Sequence, residues 1–105
     1  MTTPTEISLG EVLITQRAQE LLAIVGQSAT ELLDRHHSGD WGDVCTDDVR
    51  SNDQARESHG LLVSGYDFPP DIWIVVLTAE GHQTTSVLTW EDYPRHNTKL
   101  ISAAP

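Results

Sequence analysis

The stretch that decides the fold is Ile72–Thr78, which reads Ile-Trp-Ile-Val-Val-Leu-Thr. Six of its seven residues are β-branched or aromatic, and such side chains pack well on the pleated surface of a sheet. Turn-forming sequences bound it on both sides, Asp67–Asp71 (DFPPD) before it and Glu80–Gln83 (EGHQ) after it. The stretch is therefore the strongest strand signal in the chain.

Two further runs of strand-forming residues flank this central stretch, Leu61–Tyr66 before it and Thr84–Trp90 after it. The connections between the three runs are short, and short connections join antiparallel neighbours. The three runs therefore predict an antiparallel meander. Near the N-terminus, Glu11–Thr15 (EVLIT) is a short β-prone run that adds a possible fourth strand at an edge.

The region between these strand signals has helical patterns with recognisable start and stop residues. Thr15 is a candidate N-cap for a first helix that stops at Gly26. Ser28 and Glu31 have the spacing of a capping box and start a second helix, with Gly39 as its candidate stop. A third helix is expected to begin at Thr46 or Asp47 and to end at Gly60.

These elements predict an α+β fold in which N-terminal helices pack on a three- to four-stranded antiparallel sheet. A chain of 105 residues has room for one domain. We therefore expect a single domain over residues 1–105 with an ordered core of about residues 9–93. The N-terminal arm up to Ser8 and the tail from Pro94 onwards have little pattern, and we expect both to be loosely held.

The charge balance is the most informative bulk property. Six Lys and Arg face sixteen Asp and Glu, so the formal net charge is −10. Direct binding to nucleic acid or to an anionic membrane is not expected, because both need a basic surface. The excess charge either serves solubility or attracts a basic surface on another protein, including one that itself binds nucleic acid.

The cysteine content and the N-terminal sequence predict a cytoplasmic protein. Cys45 is the only cysteine, so an intramolecular disulfide is impossible and a reducing compartment is the simplest location. Residues 1–10 have no basic segment followed by an apolar run, so no secretory signal is expected. The chain also has no phosphate loop and no dinucleotide fingerprint, and no cofactor is expected.

A row of carboxylates is the first candidate site. Six acidic residues fall within eighteen positions, namely Asp40, Asp43, Asp47, Asp48, Asp53 and Glu57. Such a row can mimic the phosphates of a nucleic acid, although Arg50 and Arg56 interrupt it. The alternative is an ordinary solvated face. For contact with a partner, the candidates are Asp40, Trp41, Asp43, Asp47 and Asp48.

A metal or catalytic site is the second candidate. His36, His37, Asp40 and Asp43 form the densest group of potential ligands, and Cys45 follows closely. Adjacent histidines on a helix point about 100° apart, so they rarely bind one ion, and no zinc-binding spacing is present. The alternative for the histidines is a helix C-terminus, where the dipole favours an imidazolium. The expected content is no metal and no catalytic residue.

The tryptophans are a third feature with two interpretations. Trp41, Trp73 and Trp90 either pack in the core or line a recognition surface. Because strand residues alternate between faces, Trp73 lies opposite Ile72 and Ile74. If Trp73 points outward beside Tyr66 or Trp90, the aromatic patch indicates a protein-binding site.

Several of these segments resemble a family of small bacterial proteins called "plasmid-related protein". The segments run from Leu9 to Tyr93, and the most specific is His36–Asp43 (HHSGDWGD); the others are Asn52, Leu62–Tyr66, Ile72–Ile74, Thr84–Leu88 and Asp92–Tyr93. Some family members carry the label of a type I restriction enzyme modification subunit. This chain is too short for a methyltransferase domain and has no methyl-donor-binding glycine motif.

The resemblance implies a mobile genetic element, and with the charge it predicts a non-catalytic acidic interaction protein. In this hypothesis the chain blocks the basic nucleic-acid-binding surface of a defence or replication protein, as an anti-CRISPR or anti-restriction inhibitor would. Two alternatives remain at this point. One is a small metal-binding protein or enzyme that uses His36, His37 and Asp40. The other is a structural or regulatory subunit of a plasmid-encoded complex.

Overall fold

The computed structural model describes residues 9–92, which form one mixed sheet and three helices. The predicted N-terminal arm, the tail and residue 93 lie outside the described residues. In chain order the elements are β1 (Glu11–Ile14), α1 (Gln16–Val25), α2 (Ala29–His37), α3 (Thr46–Ser58), β2 (Leu62–Phe68), β3 (Ile72–Thr78) and β4 (Thr84–Thr89). Within residues 9–92, no helix has both the length and the apolar character needed to cross a membrane.

The predicted all-antiparallel sheet is wrong in one pairing. The strand order is β1-β4-β3-β2, and β1 runs parallel to β4, whereas β2, β3 and β4 are antiparallel neighbours. The short-connection argument applies only to β2, β3 and β4. The partner of β1 follows about seventy residues later, so no short turn fixes its direction. The helices are also not N-terminal to the sheet, because they lie between β1 and β2.

The two faces of the sheet carry separate clusters of buried apolar residues. On one face, residues of α1 and α2 join even-numbered residues of β2 and β3 to form the largest core cluster; its buried members are Ala18, Leu22, Leu32, Tyr66, Ile74, Val76 and Val87. On the opposite face, Val75, Leu77 and Leu88 form a second buried cluster against which Trp73 packs. The alternation of strand side chains therefore fills two separate apolar layers.

The helix boundaries mostly follow the predicted caps. The Thr15 hydroxyl accepts a hydrogen bond from the Ala18 amide, and the Ser28 capping box is complete. The third helix differs, because Cys45 occupies its N-cap position without a side-chain hydrogen bond and His59 ends it in a left-handed conformation. The helix thus ends at Ser58, two residues before the predicted Gly60, and His59 is its C-cap.

The outer edge of β2 is capped along its length by side chains and backbone from outside the sheet. Asn52 of α3 bonds both the amide and the carbonyl of Val63, at 3.1 Å and 2.8 Å. Gly65 donates to the Trp41 carbonyl and accepts from the Asp43 amide. The Asp43 carboxylate accepts from the Asp67 amide at 2.9 Å. These outward-facing N–H groups therefore cannot pair with another strand.

Candidate functional site

The segment Asp40–Asp43, which contains three of the five predicted contact residues, is a structural cap on β2. Gly42 forms a bridge with Gly65, and its φ of 79° is a conformation that favours glycine. A Cβ atom at Gly42 would lie 2.3 Å from the Gly65 carbonyl oxygen. The absence of a side chain at Gly42 therefore allows its backbone to lie close to that of Gly65.

Asp40 is held in this cap by several neighbours. Arg35 binds it through two nitrogens, at 2.7 Å and 3.3 Å, and the Gly42 amide donates to the same carboxylate. The hydrogen bond from Arg35, together with that from Gly42, lowers the pKa of Asp40. The Asp40 carbonyl accepts from the Tyr66 hydroxyl at 2.7 Å. Asp40 is half exposed, but its charge is already paired with Arg35.

Trp41 belongs to the core and not to the accessible surface, since only 4% of it is exposed. Its indole N–H donates to Asp53 at 3.1 Å, and its ring packs edge-on against His36 with centroids 5.5 Å apart. Ala55 and Leu62 complete the cluster. A partner could reach this ring only after the cap had opened.

Asp47 and Asp48 lie in the first turn of α3 and are exposed. Within residues 9–92 neither carboxylate forms an ion pair, since the single ion pair of that part joins Arg35 and Asp40. Their position at a helix N-terminus is locally favourable because the helix dipole attracts negative charge there. Of the predicted contact residues, these two are the most available to a partner.

The histidine cluster does not have the geometry of a metal site. Residues 9–92 contain no group of three or more His, Cys, Asp or Glu side chains that could hold an ion. Both ring nitrogens of His36 are occupied, Nδ1 by Ser64 at 2.5 Å and Nε2 by Thr78 at 2.8 Å. The sequence interpretation of His36 as a charged group at a helix end is wrong, because the ring is fully buried.

His36 instead begins a hydrogen-bond chain whose direction is fixed at its far end. The carbonyl of Leu9 can only accept, so the Thr85 hydroxyl donates to it, at 2.7 Å. Each hydroxyl has one proton, so Thr78 must donate to Thr85 and His36 Nε2–H must donate to Thr78. Nδ1 is then the acceptor from Ser64. The neutral Nε2–H tautomer therefore satisfies the whole chain.

Burial makes the neutral form of His36 strongly preferred. Desolvation, helped by the nearby His82 and His37, lowers the pKa of His36 to about 4. Although Ser64, His36 and Thr78 are residue types found in catalytic sites, all three have no exposed surface. Their hydrogen bonds join α2 to β2 and β3 inside the core.

A groove lies between α3 and one face of the sheet. This is the face opposite the one on which α1 and α2 pack. The groove encloses about 410 Å³. The N-terminal part of α3 and the segment before it contribute Asp43, Cys45, Asp48 and Ser51. The sheet contributes Val63, Ser64, Gly65, Trp73 and Val75, and Trp90 follows the end of β4. The sequence predicted, as one alternative, an aromatic patch of Trp73 with Tyr66 or Trp90. The structure pairs Trp73 with Trp90, whereas Tyr66 lies in the core on the opposite face of the sheet. The groove beside the pair was not predicted.

The tryptophan pair forms one wall of this groove. The rings of Trp73 and Trp90 meet edge to face, with centroids 6.2 Å apart and planes 83° apart. Trp73 lies directly over Gly65, where a Cβ atom would be 2.9 Å from the indole ring. Cys45 also lines the groove and is exposed. The groove thus combines an aromatic wall with polar groups from α3.

Comparison with protein families, with curated proteins and with solved structures gives no significant match to this chain. The resemblance to the plasmid-related family therefore stays a prediction, and the function has to be argued from the residues themselves.

Proposed function

We propose that this protein is a non-catalytic acidic interaction protein whose partner presents a basic surface. The observation that carries the proposal is the uncompensated negative charge. Sixteen Asp and Glu face six Lys and Arg in the chain, and residues 9–92 contain a single ion pair, between Arg35 and Asp40. Unpaired carboxylates raise the rate of encounter with a cationic surface and suppress contact with nucleic acid.

The contact is centred on Asp43, Asp47 and Asp48. Asp47 and Asp48 are exposed at the start of α3, and Asp43 lies beside them at the mouth of the groove. Asp40 contributes less, because Arg35 already neutralises it. Trp41 supports the contact from below by holding the cap in place. The proposed contact therefore stays at the predicted residues, but Asp40 and Trp41 have smaller roles in it than the other three.

The narrower form of the proposal concerns the biological setting. If the family resemblance holds, the basic partner is a nucleic-acid-binding defence or replication protein in the cytoplasm. The bound acidic surface would then exclude nucleic acid sterically and electrostatically, which is how an anti-CRISPR or anti-restriction inhibitor acts. The alternative of a metal-dependent enzyme has no observation in its favour, since both nitrogens of His36 are occupied inside the core.

The experiment is an affinity pull-down from the native host, followed by measurement of the captured partner's affinity at two salt concentrations. We expect weaker binding at the higher salt concentration, because screening shortens the range of the attraction. The double variant Asp47→Lys with Asp48→Lys should lose at least about tenfold in affinity, equivalent to about 1.4 kcal/mol.

The matched control reverses two exposed charges in turns elsewhere, Asp71→Lys with Glu80→Lys, and changes the net charge equally. Retained affinity in this control would show that the position of the charge matters. Equal loss in both double variants would reduce the effect to net charge, and binding that ignores salt would refute the electrostatic proposal.

A further inference from the structure

The groove beside α3 has the chemistry of a receptor for a cationic side chain. Two aromatic rings, Trp73 and Trp90, form a wall, and two carboxylates also line the groove, Asp43 from the segment before α3 and Asp48 from the first turn of α3. No Lys or Arg side chain of residues 9–92 lines it. Its volume of about 410 Å³ falls within the range of about 300–1,000 Å³ that is usual for ligand sites.

The carboxylates differ in how firmly they are held. Asp43 is oriented by the Asp67 amide, which donates to one oxygen at 2.9 Å, and within residues 9–92 its other oxygen has no hydrogen-bond donor. Asp48 projects from the first turn of α3 and is exposed. One fixed and one adjustable carboxylate suit a ligand that carries several N–H donors on one rigid group.

An arginine side chain fits this combination better than a lysine. Its planar guanidinium stacks on aromatic rings and donates to carboxylates in pairs, whereas an ammonium is a compact and strongly hydrated charge. Its aliphatic stem also suits the apolar floor that Val63 and Val75 provide. Trp90 is 38% exposed, so a ligand can reach the aromatic wall from solvent.

We propose that the groove formed by Trp73, Trp90, Asp43 and Asp48 binds an arginine side chain of a basic partner protein. The identity of the partner as a basic protein rests on the proposed function, but the groove itself is tested with small probes. The aromatic wall binds the face of the guanidinium and the carboxylates bind its edge. One inserted arginine would thereby hold the bound partner in place, whereas the surrounding negative charge only raises the rate of encounter.

The test is a nuclear magnetic resonance titration of the full ¹⁵N-labelled chain with N-acetyl-arginine-methylamide. The indole signals of Trp73 and Trp90 should shift together and saturate. The indole signal of Trp41 should stay in place, because that ring is buried and its N–H is bonded to Asp53. The neutral isostere N-acetyl-citrulline-methylamide should cause no saturable shift, and the lysine analogue should bind more weakly than arginine.

Two variants separate a site from general attraction. Asp48→Asn should raise the Kd for the arginine probe about three- to fivefold, as expected for one exposed cation contact. Glu80→Gln, which neutralises an exposed carboxylate in the turn between β3 and β4, outside the groove, should leave the Kd unchanged. Trp90→Leu should abolish the saturable shift of the Trp73 indole signal, while an unchanged Trp41 indole signal shows that the chain is still folded.

Three results would overturn the assignment: equal shifts with citrulline, tighter binding of lysine than of arginine, or equal effects of Glu80→Gln and Asp48→Asn. A negative result here leaves the proposed function standing if the charge-reversed chain still loses its captured partner. Conversely, saturable arginine binding in a chain that captures no basic protein would support the groove and refute the proposed function.

Discussion

At the scale of single residues, His36 is the group with the clearest consequence for stability. Its pKa is about 4 in the folded chain and about 6.5 when unfolded, so the unfolded state binds the extra proton between these values. Stability is therefore full above pH 6.5 and falls as the pH is lowered towards 4. The total loss is about 3 kcal/mol at 1.36 kcal/mol per pKa unit.

Urea unfolding at a series of pH values between 7 and 4 measures this dependence. The parent chain should lose stability across the window, and His36→Gln should have a flatter profile from a lower starting value. His37→Gln, which changes a neighbouring half-buried histidine, should lose only a small part of the parent slope, because burial lowers the pKa of His36 more than His37 does. A parent slope in His36→Gln would mean that another group titrates.

The sequence did not reveal this network because its members are far apart in the chain. His36, Ser64 and Thr78 meet only when α2 packs on β2 and β3. His36 lies in the last turn of an amphipathic helix, where the sequence pattern does not show whether a single side chain is exposed or buried. Ser64 and Thr78 are ordinary strand residues until the register of the sheet is known.

At the scale of elements, the cap on β2 depends on close contact between two glycines. Gly42→Ala would place a Cβ 2.3 Å from the Gly65 carbonyl and add strain at a φ of 79°. Gly26→Ala is the matched control, because Gly26 has a similar φ of 75° but nothing within 4 Å of its Cβ. Both should be destabilised by about 1 kcal/mol from strain alone.

Gly42→Ala should lose about 1–3 kcal/mol more than this control, since its side chain also displaces the backbone. Chemical denaturation of the two variants gives the difference, and hydrogen exchange at the Gly65 amide locates it. Equal losses, with the Gly65 amide still protected, would show that the loop can shift without breaking the bridge.

Local sequence signals predicted the elements better than their arrangement. The caps at Thr15 and Ser28 and the strand Ile72–Thr78 depend on neighbours within a few residues, and the structure has them as expected. The parallel partner of β1 depends on a pairing between distant segments. The groove beside α3 likewise needs the position of a helix relative to a sheet, which no local pattern contains.

At the scale of the whole molecule, the two edges of the sheet are unlike each other. Every named outward amide of β2 has an acceptor, whereas β1 exposes Val12, Leu13 and Ile14 at 38%, 48% and 40%. The Glu11 amide donates to the carbonyl of Gln83, just before β4, and the Thr15 amide donates to the carbonyl of Val87 in β4. The backbone groups of the alternate residues Val12 and Ile14 therefore point away from the sheet. Such an apolar edge favours pairing with another strand.

Sedimentation velocity over a range of concentrations measures the association that this edge permits. We expect weak self-association of the parent chain, strengthened by salt because the net charge of −10 opposes it. Leu13→Lys should prevent it, because a charge on an edge strand disfavours pairing. The control Ile24→Lys changes a residue of α1 that is 73% exposed and should associate like the parent. If Leu13→Lys associates unchanged, the edge is not responsible.

The contrast between the edges also limits how large such an assembly becomes. A sheet with two open sides can add subunits without end, which is the geometry of a fibre. Within residues 9–92 the sheet has one available edge, so two copies joined through β1 use the available edge of each copy and leave a third copy no strand to extend. The growth of any shared sheet therefore terminates at the dimer.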